Sequence, residues 1–477
     1  MMRVTGNKRK VVVVGGGITG LTTAYYLQRY ANEANMPMEI ILIESSLRLG
    51  GKIQTLRKDG FIIERGPESF FDSAGMVHQL SKDLNIEHKL MSNNHGQTYV
   101  AVGSKLYPIP GNLLYGQSPT VSSLISSGII SLSGKIRAAG DLFISKSTST
   151  EDESIADFFQ RRFGKEVVEN LVEPLLAGTF AGDIDHLSIK SMFPEFYHLE
   201  KKYRSLIFGM KKTNVNFFNN FASNQRPVYY GTFENGLETL VETLEKDLQQ
   251  HSSILKGVKV VGMEEEADEK VKLHLNNIPP LIADAVIMTT PSHLSQEIFK
   301  KHKHLQDLPM TSSATIGTVN MAFTSDQILK YRDALNFFVS RNSDYTITSC
   351  TWSNRKWNNV AQDGYTLLRI YIGRVGDEAI VELSDSEIEK IVLADLEKAI
   401  GLKGKPLFTV VTRWKQAMPQ YTVGHEERLK QLKNELNKVF PRVHLVGSSY
   451  EGISVPDCIY QGKKAASDMI LKLNGSK

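Results

Sequence analysis

A glycine-rich turn between a strand and a helix constrains the fold of this chain more than any other feature. Residues 11–14 are four consecutive valines, which predict a buried strand. Gly15, Gly17 and Gly20 follow with the spacing G-x-G-x-x-G, and apolar residues at helical spacing continue to Leu27. In such turns the first glycine makes the bend, the second lets the backbone approach a pyrophosphate, and the third lets the helix pack on the strand. The pattern predicts the first half of a dinucleotide-binding βαβ unit.

A carboxylate at the end of the next strand completes that unit. Residues 40–43 are apolar, and Glu44 follows them, 24 positions after Gly20. At this place a carboxylate accepts hydrogen bonds from an adenosine ribose and would repel a 2′-phosphate. The two strands, the helix and the acid together predict a site for an adenine dinucleotide. A glycine turn that holds no nucleotide is the alternative.

The residues after Glu44 favour FAD over a nicotinamide cofactor. Arg48 begins the sequence R-x-G-G, which ends at Gly51 and is followed by Lys52. This resembles the extended dinucleotide motif of FAD enzymes, and a solvated basic turn is the alternative interpretation. Further on, residues 64–69 (ERGPES) pair a glycine with a proline, as is needed where main chain lies against a flat ring. The two motifs together predict a flavin cofactor.

Charge and cysteine content exclude several classes of protein. Fifty-six basic and 52 acidic side chains leave a net charge of +4, so no nucleic-acid partner is expected. Cys350 and Cys458 show neither a disulfide framework nor a metal-ligand spacing, which predicts no metal site and a reducing, cytoplasmic location. No window reaches the roughly 18 uncharged apolar residues of a spanning helix. The nearest, residues 119–133, has seven Ser or Thr in fifteen positions, so we expect no integral membrane segment.

Two kinds of segment alternate along the rest of the chain. The predicted elements are helices over 154–176 (with Ser154 as N-cap), 385–399 and 426–439; strands over 257–261 and 283–288 that return to the sheet of residues 11–14; strands over 336–340 and 365–372 in a second, largely antiparallel sheet; and a last strand over 443–447. No repeat or low-complexity linker separates them, so we expect domains that are interleaved in sequence.

These elements predict an α/β fold in which a Rossmann-like FAD-binding domain is interleaved with a helical region and a mixed-sheet substrate domain. The FAD-binding domain is discontinuous and is assigned to residues 1–95, 226–300 and 405–477. Residues 96–225 are assigned to the helical region, on the side of the substrate and of any membrane. Residues 301–404 are assigned to the mixed-sheet substrate domain.

Six motifs, taken together and in this order, resemble one family of flavin enzymes. They are GGGITGL, RLGGKI and ERGPESF near the amino terminus, then NLVEPLLAGTFAGDID at 170–185, RWKQAMPQY at 413–421 and VGSSYEGISVPDCIYQGKKAA at 446–466. Over almost its whole length the chain resembles the coproporphyrinogen III oxidase and protoporphyrinogen oxidase family of haem biosynthesis, within the flavin amine-oxidase superfamily. It is most similar to the bacterial branch that oxidises coproporphyrinogen III. The cofactor motifs are common to the superfamily, so the narrower resemblance rests on residues 154–185 and 446–466.

The resemblance implies FAD that is bound noncovalently by segments far apart in the chain. The implied residues are Gly15, Gly16, Gly17, Ile18, Thr19 and Gly20 at the pyrophosphate; Glu44 and Ser45 at the adenosine; Arg48, Gly51, Lys52, Gly66, Pro67, Glu68 and Ser69 at the more distal part of the cofactor; the backbone of Val260 at the adenine; Trp414 near the flavin; and the backbone of Ile453, Ser454 and Val455 at the pyrimidine edge of the ring. Pro456 marks the first turn of a helix whose positive end would stabilise an anionic reduced flavin. For Trp414 a core aromatic residue, and for Val260 an ordinary strand valine, are the alternatives.

The sequence departs from the family pattern at three places. Ser45 and Ser454 stand where relatives commonly have alanine and glycine, and both still allow backbone contacts. Residues 72–75 are Asp-Ser-Ala-Gly, where some relatives have basic residues suited to a substrate carboxylate. We therefore predict no propionate anchor from this segment, and no residue is assigned as catalytic.

The implied activity is the oxygen-dependent removal of six electrons and six protons from a porphyrinogen, with release of hydrogen peroxide. The implied partners are the porphyrinogen and dioxygen, and the family leaves room for a peripheral membrane contact and for another haem-pathway enzyme. Three alternatives stay open. They are protoporphyrinogen IX as the substrate, another flavin oxidoreductase such as an amine oxidase or a carotenoid desaturase, and a FAD-binding carrier without turnover.

Overall fold

The computed structural model describes residues 8–110, 128–213, 230–306, 310–328 and 330–475, so most of the apolar stretch 119–133 lies outside the described residues. The strands are β1 Arg9–Val14, β2 Met38–Glu44, β3 Thr55–Lys58, β4 Phe61–Glu64, β5 Phe70–Phe71, β6 Leu90–Ser92, β7 Gln97–Val102, β8 Lys105–Pro108, β9 Tyr230–Phe233, β10 Ser253–Lys256, β11 Val260–Glu265, β12 Val271–Leu275, β13 Leu281–Ala283, β14 Ala285–Met288, β15 Ser313–Thr324, β16 Ala334–Val339, β17 Ile347–Trp352, β18 Tyr365–Ile372, β19 Phe408–Pro419 and β20 Val443–Leu445. The α-helices are α1 Ile18–Glu33, α2 Met76–Asp83, α3 Leu132–Ala139, α4 Ile155–Phe163, α5 Lys165–Val167, α6 Glu173–Phe180, α7 Ile189–Met192, α8 Pro194–Tyr203, α9 Leu206–Thr213, α10 Glu238–His251, α11 Ser292–Ile298, α12 Lys303–Gln306, α13 Ser353–Lys356, α14 Asp385–Ile400, α15 His425–Val439 and α16 Val455–Asn474.

A five-stranded parallel sheet carries the glycine turn. Its strand order is β10-β2-β1-β14-β20, so β1 lies at its centre. Val11 pairs with Ile40 on one side and with Ala285 on the other. All four valines of β1 are buried, as expected for a central parallel strand that is covered on both faces. The turn after β1 and Glu44 at the end of β2 therefore lie at the same edge of the sheet, where α/β proteins bind their ligands.

The prediction that residues 257–261 return to this sheet is wrong. The neighbour of β2 is the segment before them, β10, and β11 lies in a separate sheet of order β11-β12-β13. Gly257 has φ +72°, a conformation that glycine adopts without strain, and it turns the chain away from the parallel sheet. The prediction for residues 283–288 is confirmed, because β14 pairs with β1.

A seven-stranded sheet forms the second large layer. Its order is β19-β15-β18-β17-β16-β7-β8, and each pair is antiparallel except β16 with β7. The predictions of strands over 336–340 and 365–372 are confirmed by β16 and β18. The α/β fold class is confirmed as well. The division into three domains stays a proposal, and we now place β7, β8 and β19 with the mixed sheet that they join.

Helices fill much of the chain between β8 and β9. The predicted helix over 154–176 is divided into α4, α5, a π-helical stretch Val168–Val172 and the beginning of α6. Ser154 caps α4, because its Oγ accepts a hydrogen bond from Asp157 N at 3.0 Å. Elsewhere α14 and α15 confirm the helices predicted over 385–399 and 426–439.

Candidate cofactor site

The turn between β1 and α1 leaves an open cradle at the start of the helix. Gly15 has φ +110°, and its N–H donates to the carbonyl of Ile43 at 2.8 Å. A Cβ at Gly20 would lie 1.8 Å from Gly15 O, so helix and strand approach each other as closely as glycine allows. A Cβ at Gly17 would instead meet nothing within 4 Å. Gly17 therefore borders free space at a helix N-terminus, where the pyrophosphate of FAD fits.

Glu44 ties the glycine turn to the end of β2. Its Oε2 accepts a hydrogen bond from Gly16 N at 2.7 Å. Its Oε1 accepts from Ser46 N at 2.7 Å and from the hydroxyl of Ser45 at 3.3 Å. The structure thus brings the predicted pyrophosphate and adenosine segments together.

Val260 lies close to the adenosine segment along the chain. Two residues before it, the N–H of Val258 donates to the carbonyl of Glu44 at 3.0 Å. Val260 itself is buried, begins β11 and pairs with Leu275. A backbone contact with the adenine is compatible with this position and stays a prediction.

Arg48 stabilises the R-x-G-G turn by hydrogen bonds to main-chain carbonyls of the turn and of the residue just after Lys52. Its Nη1 donates to the carbonyl of Gly51 at 2.7 Å and its Nη2 to that of Ile53 at 2.6 Å, while Glu238 pairs with the guanidinium at 3.2 Å. A Cβ at Gly51 would lie 3.2 Å from the Cα of Gly17, so this turn rests on the cradle. Arg48 therefore holds the predicted segment in place, and its direct contact with FAD stays a prediction.

Lys52 connects the second motif with the third and with the loop before α16. Its Nζ donates to Ser448 Oγ at 3.4 Å. Burial lowers the pKa of the Lys52 ammonium, and the neighbouring Cys458 thiol acts in the opposite direction. A Cβ at Gly66 would lie 1.6 Å from the carbonyl oxygen of Lys52, so the two main-chain segments are in contact.

The carbonyls of three consecutive residues, 64–66, accept hydrogen bonds from the mixed sheet. Arg65 O accepts from Trp414 Nε1 at 2.8 Å and from Thr318 Oγ1 at 3.0 Å. Arg369 donates to the carbonyls of the residues on either side of Arg65. Trp414 thus contacts the segment predicted to face the flavin. Thr318 and Arg369 were not predicted from the sequence, and the available signal was the alternation of polar residues along β15 and β18.

Glu68 and Ser69, which follow Pro67, are directed toward α13. Glu68 accepts hydrogen bonds from Ser353 Oγ at 2.6 Å and from Lys356 Nζ at 3.1 Å, and the same Nζ lies 3.3 Å from Ser69 Oγ. Burial opposes the ionisation of Glu68, but Lys356 and Arg369 outweigh it and hold the pKa of this carboxyl below its usual range. Glu68 is therefore an ionised anchor of its loop, and its contact with FAD stays a prediction.

Ser454 forms the N-cap of α16. Its Oγ accepts from Asp457 N at 3.2 Å, while Asp457 Oδ2 accepts from Ser454 N at 3.1 Å, which makes a reciprocal capping box. Ile453 precedes the cap, and Val455 and Pro456 are the first residues of the helix. The helix start that the family resemblance implied is confirmed.

The first turns of α1 and α16 lie side by side. Cys458, in the first turn of α16, is a neighbour of Thr19, the residue after Ile18. A Cβ at Gly462 would lie 2.7 Å from Thr19 O, so the lack of a side chain permits this close packing. Helix N-termini carry partial positive charge, and two of them together suit an anionic cofactor.

Thr289, just beyond the end of β14, closes the glycine turn and was not predicted. Its Oγ1 lies 3.0 Å from Val14 O and 3.1 Å from Gly15 O and donates to these carbonyls. The available signal was the sequence Thr-Thr-Pro directly after a predicted parallel strand. Because the carboxyl ends of parallel strands meet at the ligand site, polar residues there are candidates in their own right.

The donors at this site are main-chain N–H groups, two helix ends and the Lys52 ammonium, a set that suits an organic anion. Within the described ranges, no group of three or more His, Cys, Asp or Glu could hold a metal ion. None of the helices that the structure describes has both the length and the apolar character needed to cross a membrane.

Comparisons of the sequence with known proteins point to one family. The profile of the family described as flavin containing amine oxidoreductase matches residues 18–470. Coproporphyrinogen III oxidase of Bacillus subtilis (strain 168) is 44% identical over 470 residues, which is 98% of this chain and 100% of that protein. The enzyme of the same name from Staphylococcus aureus (strain NCTC 8325 / PS 47) is 36% identical over 474 residues, with coverage of 98% and 100%.

A solved structure supports the same assignment. The crystal structure of a protein from Exiguobacterium sp. 255-15, provisionally named protoporphyrinogen oxidase, has a TM-score of 0.84 and 31% identity, and covers 97% of this chain and 99% of its own. The resemblance stated from the motifs is confirmed, and so is FAD as the cofactor. The chain belongs to the flavin containing amine oxidoreductase family and is an FAD-dependent oxidase.

Proposed function

We propose that this protein oxidises coproporphyrinogen III to coproporphyrin III in haem biosynthesis, with dioxygen as the final electron acceptor. The observation that carries the proposal is the full-length similarity to two relatives named for that activity. Residues 154–185 and 446–466, on which the narrower resemblance rests, lie within the residues matched by the family profile. The open cradle at Gly17 and the paired helix N-termini support the proposal, because they suit the cofactor that the reaction requires.

The overall reaction removes six electrons and six protons from each porphyrinogen. Three dioxygen molecules accept them and leave as three molecules of hydrogen peroxide, so atoms and electrons balance. FAD, when bound, supplies the two-electron acceptor for an oxidation of this kind.

The residues of this chain bind the cofactor and orient its ring. The N-termini of α1 and α16 and the Lys52 ammonium favour the negative charge of a pyrophosphate. Hydrogen bonds from Thr318 and Trp414 fix the carbonyl of Arg65, and with it the main chain beside Gly66. A fixed main chain is what a flat ring needs in order to bind in one orientation.

Residues 72–75 contribute no cation toward the substrate. Asp72 is occupied at the start of α2, where its Oδ1 accepts from Met76 N at 2.7 Å and its Oδ2 from His78 N at 2.9 Å. We therefore propose that the four propionates of coproporphyrinogen III are bound by other parts of the helical region and the mixed sheet.

Steady-state kinetics test the proposal. Purified protein is given coproporphyrinogen III or protoporphyrinogen IX in air, and porphyrin fluorescence and peroxide are followed with time. We expect the higher kcat/KM for coproporphyrinogen III and about three peroxides for each porphyrin. Equal or reversed preference would favour protoporphyrinogen IX, the second candidate, which the name of the Exiguobacterium protein supports.

An anaerobic experiment separates an enzyme from a carrier and from an amine oxidase. Addition of coproporphyrinogen III without oxygen should bleach the flavin absorbance, and admission of air should restore it. A flavin that stays oxidised with the porphyrinogen would indicate a carrier. Bleaching by simple amines alone would indicate an amine oxidase.

We also propose that the protein acts in the cytoplasm, because its cysteines form no disulfide framework. A contact with another haem-pathway enzyme would shorten the path of the porphyrin product. Cell fractionation and co-purification with pathway enzymes test these two points.

A further inference from the structure

One face of the mixed sheet is directed at the main chain of residues 64–66. Asn320 on β15 pairs across the sheet with Arg369 on β18, and Thr318 on β15 pairs with Thr412 on β19. Side chains two apart along a strand share a face, so these residues lie on the same side of the sheet. Asn320 Nδ2 donates to the carbonyl of residue 64 at 3.4 Å, and the guanidinium of Arg65 donates to Thr412 Oγ1 at 3.0 Å. The three strands thus hold this segment from one side.

Arg369 is the charged member of that face. Its side chain is buried, with 1% of its surface exposed. The two Nη atoms donate to the carbonyls of Glu64 and Gly66, and Nε donates to the hydroxyl of Tyr371 at 2.9 Å. All of these acceptors are neutral. A guanidinium keeps its proton in proteins, so a full positive charge lies directly behind the segment, in an interior that screens charge poorly.

Two carboxylates nearby, Glu68 and Glu64, attract the charge of Arg369, but each also has other partners. Glu68 has its own cation, since Lys356 Nζ lies 3.1 Å from it. Glu64 accepts from Leu237 N at 2.6 Å and from a threonine hydroxyl at 2.9 Å. Burial raises the pKa of Glu64 to about 7, so near neutral pH this carboxyl is only partly ionised. The charge of Arg369 is therefore incompletely offset on the side of residues 64–66.

We propose that Arg369 is a positioning residue for the flavin. It fixes the main chain of residues 64–66, and its charge raises the reduction potential of FAD bound along residues 66–69. Reduction adds negative charge to the flavin, and a buried cation close by stabilises the reduced form relative to the oxidised form. The inference rests on the proposed placement of FAD along residues 66–69. It does not depend on which porphyrinogen is the substrate.

The test compares the midpoint potential of bound FAD in four proteins by equilibration with redox dyes. They are the wild type, Arg369→Met, Arg369→Lys and the control Arg355→Met. Arg355 is a matched control, because its Nη1 also donates to two main-chain carbonyls, those of Tyr331 and Ala334, on another part of the sheet. FAD content and flavin absorbance are measured on the same samples, without porphyrinogen.

We expect Arg369→Met to lower the potential, whereas Arg369→Lys and Arg355→Met keep it near the wild-type value. A tenfold loss in the equilibrium constant for reduction corresponds to about 30 mV for a two-electron couple. The Lys variant should also bind FAD more weakly, because an ammonium lacks the planar fork that reaches both carbonyls. A wild-type potential in Arg369→Met, or an equal shift in Arg355→Met, would overturn the proposal.

A second neutral variant covers the case in which Arg369→Met fails to hold FAD. Arg369→Gln keeps one N–H donor for a carbonyl and should again show a lower potential. If neither neutral variant binds FAD, the Arg369→Lys protein decides the positioning role. An FAD affinity and a flavin absorbance equal to those of the wild type would overturn that role. Weaker FAD binding with an altered flavin absorbance would support it. A wild-type protein that binds no FAD would contradict the cofactor site itself. Turnover of a substrate other than coproporphyrinogen III would contradict the proposed function but would leave the inference about Arg369 unchanged.

Discussion

The N–H of Gly16 donates to Glu44 Oε2 over 2.7 Å, and this hydrogen bond ties the turn after β1 to the carboxylate at the end of β2. The carbonyl of Gly16 in turn accepts from Gly50 N at 2.8 Å, so three motifs of the site meet at one residue. The carboxylate that is predicted to bind the adenosine therefore also maintains the shape of the cradle. Replacement of Glu44 should therefore affect both the binding of the adenosine and the shape of the cradle.

Glu44→Gln is expected to weaken FAD binding. The amide keeps the size of the side chain but replaces one acceptor oxygen with a donor, which then faces Gly16 N–H or Ser46 N–H. Loss of a hydrogen bond to a charged group costs roughly 1.5 to 3 kcal/mol, which is about ten- to a hundredfold in Kd. Titration of the apoprotein with FAD measures this. Glu39→Gln, near the opposite end of the same strand, is the control and should leave Kd unchanged. Equal affinities in all three proteins would remove Glu44 from the site.

Two alanine substitutions in the glycine turn should have different consequences. Gly20→Ala places a methyl group 1.8 Å from Gly15 O, so the helix must move and the protein should lose both stability and FAD. Gly17→Ala meets nothing within 4 Å, so the protein should fold normally yet bind FAD less tightly, because the methyl group occupies the cradle. Thermal unfolding without FAD and FAD titration separate the two effects. Wild-type affinity in a folded Gly17→Ala protein would show that the pyrophosphate lies elsewhere.

Acid precipitation should release all of the flavin into the supernatant. Cys458 is the cysteine next to the cofactor segments, and burial raises the pKa of its thiol to about 11, which disfavours the reactive thiolate. Its side chain is also buried where α1 and α16 pack together. The absorbance of pellet and supernatant provides the measurement. A pellet that stays yellow after washing would indicate a covalent link.

The Glu64 carboxyl should make stability fall as the pH rises toward neutrality. Burial raises its pKa from 4.5 to about 7, so between these values the native state binds more protons than the unfolded state. The free energy of unfolding then decreases with increasing pH, by on the order of 3 kcal/mol for a shift of this size. Glu64→Gln cannot ionise, so its Tm should fall less than that of the wild type between about pH 5 and about pH 8.

Differential scanning fluorimetry across this range measures the effect. Glu242→Gln, which changes an exposed side chain, is the control and should show the same dependence of Tm on pH as the wild type. Parallel profiles for wild type and Glu64→Gln would show that Glu64 does not titrate in this range.

Part of the site could be predicted because its signals are local. The strand of residues 11–14, the glycines that follow it and Glu44 each lie within a few residues of the element that they begin or end. Hydrophobic periodicity and the conformational limits of glycine act over the same short range. The βαβ unit therefore follows from the sequence alone, whereas the start of α16 was implied by the resemblance to the family.

Tertiary structure decided which of these elements meet. Residues 257–261 have the composition of a strand, but periodicity does not specify a partner, and it is β10 that pairs with β2 in the parallel sheet. Arg369 reaches the carbonyl of Gly66 across 303 positions of the chain, and Trp414 reaches Arg65 across 349. Such contacts depend on the register of three strands and on the burial that they create together. For that reason the buried charge behind residues 64–66 is a property of the folded chain, and no local pattern of residues contains it.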